Sequence, residues 1–459
     1  MRKESLVLLT TSLAAFLTPF ISSSISFSIP RIGDAFGLSF YQAALLPLVI
    51  LIPLASFMLL LGRVSDALGR VRFLRIGLSI FTVGAILSIL SRDFVALVLS
   101  LFVVGVGASM ISANSTAIVS YHFRTGRGFA LGINAMSVYL GLTMSPFLSG
   151  VLIEFIGWES IFLVVIPIAI LSLLLSFVSL NSDIRGAVGM RVYSSLLFSI
   201  LLVSISTYLS FGYLYGFLTL LPLLLLFIIA LALFIVDETR SKNPLISGRM
   251  MEMKRTFLAS NIAALLNYVG TFSIVFVFSV YLQVILKVSP FLSGIYILPE
   301  PVMMVLMSPV SGRLSDKLGS RGIASTGMVA IGISFLLFFI LKEPSFLEIV
   351  LLLTLLGAGF GLFSAPNTNS VMGSIKLEFS GLASGFLGTM RFIGQLSSII
   401  LASYILSLEI PRKIMVGIFS GIYVSIGNAY YQNFISGFRW VMLLSSVISL
   451  IGAIFSFLR

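Results

Sequence analysis

Two ionisable side chains, Glu300 and Arg391, lie inside stretches of the chain that are otherwise apolar. A charge held in hydrocarbon is costly, so a carboxyl or guanidinium kept there is a functional candidate by default. Glu300 stands between Pro299 and Pro301, near the middle of a span predicted over 291–311. Prolines remove backbone donors and disrupt a helix, which lets carbonyls and water reach the site. Apolar surroundings favour the neutral form of a carboxyl, so Glu300 is the candidate for binding and releasing a proton. The competing reading is a protonated structural carboxyl bonded to a neighbouring helix. For Arg391, about half a helix into its span, the competing reading is a head group that snorkels to the membrane surface. Asn134, Tyr139, Asn261, Asn267, Tyr268, Gln283, Asn367 and Asn369 are uncharged polar residues within predicted helices, and a subset of them is expected to line a solute path.

A repeat supplies the second chemical signal. GRVSDALGRVRFLR (62–75) returns as GRLSDKLGSRG (312–322), each copy directly after a long apolar run. A short turn needs Gly62 and Gly69 for tight backbone geometry, and Asp66 beside Arg70 or a helix N-terminus gains a partner for its charge. Gly312, Arg313 and Asp316 carry the same pattern in the second copy, which is degenerate at Ser320 after Gly319. Duplication of such a turn implies two homologous membrane halves with a solute bound between them. A solvated basic loop that merely sets topology is the bland alternative.

Composition narrows the classes. With 58% hydrophobic and 10% charged residues, the chain can form about a dozen spans of ~20 residues. The apolar runs are too many and too long for a cleaved leader. There is no Cys and one His, His122, which removes thiolate chemistry and Cys or His metal sites, so neither metal nor cofactor is expected. The net charge of +12 does not indicate nucleic acid, because the basic residues collect on one predicted side. A membrane-embedded enzyme would need clustered acids or histidines at an outer face, an ATP-driven pump a phosphate loop, and a channel a filter or charged rings. None is found in the sequence, and the chain is read as a non-enzyme.

Helices are expected over 6–29, 41–61, 73–91, 94–119, 129–153 and 160–180, then a pair over 193–213 and 216–236. A second set follows over 257–286, 291–311, 324–341, 347–373, 381–407 and 437–457. This is an all-α membrane protein of about fourteen spans (6+2+6), divided as 1–181, 192–238 and 256–459. Both termini and both Gly/Asp turns are placed in the cytoplasm, since that arrangement puts roughly twenty of the Lys and Arg inside. The connection over 408–437 is apolar but too short to span, and is expected to be re-entrant or interfacial. Trp158 reads as an interface anchor.

Gly62, Asp66, Gly69 and Arg70 match GxxxDxxGR, so the chain resembles the major facilitator superfamily. The resemblance implies a gate latch at Asp66, Arg70 and Asp316, with Arg72 substituting for a Lys that the family places after GR. GLTMSPFLSG (141–150) is similar to the helix 5 motif of exporters in that superfamily, with Ser145 and Ser149 replacing glycines. Gly141, Ser145, Ser149 and Gly150 are small residues that allow close helix packing, and Pro146 bends the helix. ISFSIPRIGDAFGLS (25–39), GWESIFLVVIP (157–167), YLQVILKVSPFLSGIYILPEP (281–301) and GLASGFLGTMRFIGQ (381–395) narrow the resemblance to the 14-helix drug:proton antiporter family. That family implies a monomer in the cell membrane that exports amphipathic or lipophilic small molecules, possible exchange for protons, and lipid contact. It also implies a place for Arg391 near a central cavity or the cytoplasmic mouth. Two departures touch coupling: FISSSISFSIP (20–30) lacks the family's helix 1 acid, and LFVVGVG (101–107) lacks its helix 4 Arg and Gln. A uniporter, or an uptake transporter for another solute, fits these residues as well.

Overall fold

Apolar runs of bilayer length must satisfy their backbones internally, and helix is the local answer. The computed structural model describes residues 2–38, 40–180, 192–241, 253–341, 344–410 and 431–459, and every regular element among them is helical. The first half comprises α1 (Arg2–Phe36), α2 (Phe40–Leu68), α3 (Arg70–Ile89), α4 (Phe94–His122), α5 (Arg127–Phe155) and α6 (Ser160–Ser179). A hairpin of α7 (Val192–Tyr215) and α8 (Leu221–Arg240) follows. Then come α9 (Lys254–Thr271), α10 (Ile274–Val280), α11 (Pro290–Ile297), α12 (Pro299–Leu318), α13 (Ser320–Ile340), α14 (Phe346–Gly373), α15 (Ser380–Glu409) and α16 (Tyr431–Phe457). Among the described residues, twelve helices are long and apolar enough to cross a membrane. The expected fourteen differ by α7, whose apolar part is the shorter Tyr193–Leu209, and by the broken α9–α10 pair.

The breaks have local causes. The span predicted over 257–286 parts at residues 272–273 and ends in a π-helical turn, Tyr281–Ile285. The amide of Ser273 at the break donates to Ser398 Oγ of α15 at 3.0 Å, so this buried donor keeps a partner. The span predicted over 291–311 is hinged at Leu298, where Pro299 starts α12. The predicted re-entrant segment lies outside the described residues over 411–430. Trp158 is buried against Phe36 and Phe162 and does not anchor at an interface.

The repeat seen in the turns extends to the packing. Within the first half α1 packs on α5 and α6, α2 on α4, and α3 on α4 and α6; within the second, α9 packs on α15 and α16, α12 on α14, and α13 on α14 and α16. Two buried clusters follow this division, one drawn from Val7 to Leu180, the other mainly from Phe257 to Ala453. The halves meet through α2 against α15 and α5 against α12. The hairpin lies to one side, with α7 on α2 and most of α8 exposed, as a lipid-facing helix would be. Gly69 and Gly319 make the two equivalent turns, with φ of 118° and 82°, a region that a side chain would strain.

Candidate functional site

A helix N-terminus presents unpaired N–H groups and the positive end of the helix dipole, so it is a natural seat for a carboxylate. Both repeated aspartates use one. Asp66, at the end of α2, accepts from Gly381 N and Leu382 N, each at 2.8 Å, in the first turn of α15. Asp316, at the end of α12, accepts from Gly128 N at 2.7 Å and Phe129 N at 2.9 Å, in the first turn of α5. Each half therefore clasps the other at the same end of the molecule. Glycine makes the approach possible: a Cβ on Gly381 would lie 2.6 Å from Gly62 O, and one on Gly132 would lie 2.5 Å from Ser308 O.

The compensating cation differs between copies. In the first, Arg70 Nε donates to Asp66 Oδ1 at 2.6 Å, and Arg70 Nη2 donates to Leu377 O and Glu378 O at 2.9 and 2.8 Å. In the second, Arg70 is replaced by Ser320, and the cation that acts on Asp316 is Arg127 from the opposite half. Arg127 Nε donates to Asn369 Oδ1 at 2.7 Å, and Asn369 Nδ2 donates to Ser315 Oγ at 3.1 Å, tying α5, α14 and α12 together. The second copy is thus degenerate in sequence and equivalent in geometry. Arg63 and Arg313, one after each repeated glycine, lie 5.7 Å from the Phe379 ring and 4.7 Å from the Phe129 ring. Arg72, expected to substitute for the missing Lys, is exposed and outside the clasp. The paired GxxxG segments at 128–132 and 381–385 were legible as a second internal repeat that motif reading at 62 and 312 alone missed, whereas Arg127, opposite Ser380 in that repeat, carried no such signal.

The helix 5 motif packs inside the first half. Gly141 meets α1, where an added Cβ would lie 2.6 Å from Phe16 O. Ser145 and Ser149, one and two turns on, share Ser24 Oγ at 2.9 and 2.8 Å. Gly150 departs from the expectation of close packing, since nothing lies within 4 Å of an added Cβ.

Deeper between the halves, aromatic and polar groups from both converge. Tyr139 of α5 stands edge-on to Phe360 of α14 at 5.7 Å, and Tyr268 of α9 does the same at 5.3 Å. Tyr139 also interacts with the side chains of Ser364 and Tyr268. Arg391 of α15 lies 6.0 Å from the Tyr268 ring, and its Nη2 donates to Thr368 Oγ1 at 2.6 Å. Counting along α5 from Gly128 and along α15 from Gly381 at about 1.5 Å per residue puts the cluster roughly 15 Å from the clasps. That depth is half of a ~30 Å hydrocarbon core.

Glu300 departs from its expected mid-helix place. It sits in the first turn of α12, just after the hinge, and about 24 Å along α12 from Asp316. It is buried, its backbone pressed on Gly357 of α14, and its Oε2 has no hydrogen-bond partner. Three of the asparagines bond within their own halves, whereas Asn369 meets Arg127 across them. Asn134 donates to Thr11 O and Ser115 Oγ, both at 3.2 Å, within the first half. Asn267 donates to Met328 Sδ at 3.1 Å within the second. Asn367 donates to Ser260 O at 3.1 Å and accepts from Arg459 Nη1 at 2.7 Å near the clasped end. Gln283 lies in the π-helical turn and donates to Ser279 Oγ at 2.9 Å.

Comparison with known proteins agrees with this architecture. The family model described as Major Facilitator Superfamily matches residues 11–188 and 182–399. The riboflavin transporter RibZ of Clostridioides difficile (strain 630) is 26% identical over 85% of this chain and 86% of its own length. The multidrug resistance protein Stp of Mycobacterium tuberculosis (strain CDC 1551 / Oshkosh) is 26% identical over 86% of this chain and 74% of its own. Among solved structures, the proton:xylose symporter XylE superposes with a TM-score of 0.68 at 12% identity, covering 99% of this chain and 95% of that one. The human organic anion transporter MFSD10 gives 0.64 at 16% identity, covering 99% and 98%. The multidrug relative sustains the resemblance to the drug:proton antiporters. The chain belongs to the major facilitator superfamily.

Proposed function

We propose that this transporter exports amphipathic or lipophilic small molecules by alternating access, its two halves rocking about the central Arg/Tyr cluster. The observation that carries the reading is the pair of matched clasps at one end. Polar contacts of Asp66 and Asp316 to helix N-termini can break in water and re-form, whereas a continuous apolar seam would weld the halves. The clasped end is the cytoplasmic one in this reading, with both termini on that side of the cell membrane. The spans number about fourteen when α9–α10 and α11–α12 count as one each and α7 and α8 are added. The halves are 1–181 and 256–459, the hairpin 192–238, and the working unit a monomer in contact with lipid.

Proton exchange belongs to the same proposal. Glu300 is a buried carboxyl with an unpartnered oxygen, at the contact of α12 with α14, in a chain without the family's helix 1 acid. Purified protein in sealed vesicles with an imposed pH gradient, screened with lipophilic dyes, tests both parts. Uphill dye movement that Glu300→Gln abolishes, with exchange down the dye's own gradient retained, is the expected result. Flux equal to that of protein-free vesicles overturns the transport reading, and an unchanged Glu300→Gln overturns the coupling.

A further inference from the structure

The midplane cluster contains a cation, Arg391, that has no counter-ion among the described residues. Arg391 is half-buried at the junction of the halves, and among the described residues its interactions are with one hydroxyl, Thr368 Oγ1, the Tyr268 ring and, electrostatically, Tyr139. Among the described residues no carboxylate pairs with it. A guanidinium has five donors, and one hydroxyl leaves most of them for a guest. The two clasp arginines, by contrast, act on carboxylates: Arg70 has Asp66 and two carbonyls, although its Nη1 is unpartnered, and Arg127 has Asn369 with the charge of Asp316. The clasps hold themselves closed, so their cations are spoken for. Arg391 is different in being both central and open.

The walls around it are aromatic. Tyr139, Tyr268 and Phe360 form a run of edge-to-face rings that joins α5 of the first half to α9 and α14 of the second. Rings of this kind offer faces to a flat guest, while Tyr139 and Ser364 add hydroxyls. Glu300 lies nearer the end away from the clasps, on α12, and is not among Arg391's partners.

Building on the transport reading above, we propose that the substrate is an aromatic anion, with its ring against Tyr139, Tyr268 and Phe360 and its acidic group forked onto Arg391. A planar guanidinium suits a carboxylate or sulfonate through two parallel N–H donations. Binding such a group replaces the water that a buried cation would otherwise need, and it links α15 to the ring wall from both halves. A cation of the same ring size would gain the aromatic contacts and meet repulsion at Arg391.

The test uses two xanthene dyes of matched size, anionic fluorescein and cationic rhodamine 123, with full-length protein. Binding is read by fluorescence anisotropy in detergent and flux in vesicles. Fluorescein is expected to bind more tightly than rhodamine 123. Arg391→Gln is expected to weaken fluorescein at least tenfold and to leave rhodamine 123 unchanged or tighter, while Arg391→Lys, which keeps the charge and loses the fork, is expected to weaken fluorescein less than Arg391→Gln does. Opposite responses of the two dyes cannot come from a merely structural arginine, and size-exclusion profiles of both variants check folding. Equal losses for both dyes, tighter binding of rhodamine 123 by the parent protein, or no binding of either overturns the proposal. Rhodamine flux without a fluorescein preference would overturn this inference alone and leave the transport reading standing.

Discussion

Asp66→Asn should unlatch one clasp, and the size of the effect follows from its contacts. In the closed state the carboxylate accepts two backbone N–H groups at 2.8 Å and the Arg70 Nε at 2.6 Å. Asn offers one oxygen, so one helix N–H loses its acceptor and faces an amide donor, and Arg70 loses its counter-charge. Hydrogen bonds to charged groups are worth about 1.5 to 3 kcal/mol, and breaking a buried pair costs about 3 to 5 kcal/mol. Arg70 keeps the Leu377 and Glu378 carbonyls, which argues for the lower end. Once the end opens, both side chains are in water, where an exposed pair contributes about 0 to 1 kcal/mol. The net shift toward opening is then about 2 to 3 kcal/mol, or roughly 30- to 150-fold in the equilibrium. Leu59, fully buried where α2 meets Gly385, reports it as a Cys in this naturally Cys-free chain. While the open state is a minority, its labelling by a water-soluble maleimide tracks the open population, so the rate should rise by that factor. A rise of less than about threefold in folded Leu59→Cys/Asp66→Asn protein would refute the clasp.

Asp316→Asn should give a shift of similar size in the same assay, and the double variant should add the two within about 0.5 kcal/mol, since the clasps share no partner. Failure of additivity would mean that the clasps open separately. Gly141→Ala, whose Cβ would meet Phe16 O at 2.6 Å, should destabilise the protein by about 1 to 3 kcal/mol through overpacking, whereas Gly150→Ala, with open space around it, should be neutral. Equal thermal melts in detergent would show that the motif's packing role is misassigned. Arg72→Cys and Leu318→Cys, exposed at the clasped end, should resist an impermeant maleimide added outside intact cells; reaction would invert the topology.

The sequence by itself determined the class, the duplication and the residue types that matter. Apolar runs of bilayer length force helices because hydrocarbon offers no alternative backbone partner, and a repeated Gly/Asp turn marks two halves whatever their arrangement. Glu300 and Arg391 stood out for the cost of charge in lipid, Asp66 and Asp316 for their place in the repeated turn. What only the tertiary structure decided was partnership. Asp66 and Asp316 find amides 315 and 188 positions away, and no local period encodes which helix N-terminus will stand opposite. Asn134, Asn267 and Asn367 looked like path residues and are spent within their own halves, while Phe360, Ser364 and Thr368 joined Arg391 unannounced. Composition reports that a polar group lies in a helix; which face it occupies, and against which half, depends on how two six-helix units dock. The second clasp shows this most sharply: its arginine is absent from the repeat and arrives as Arg127 from the other half, because docking places charges by position in space and the repeat places them by position in the chain.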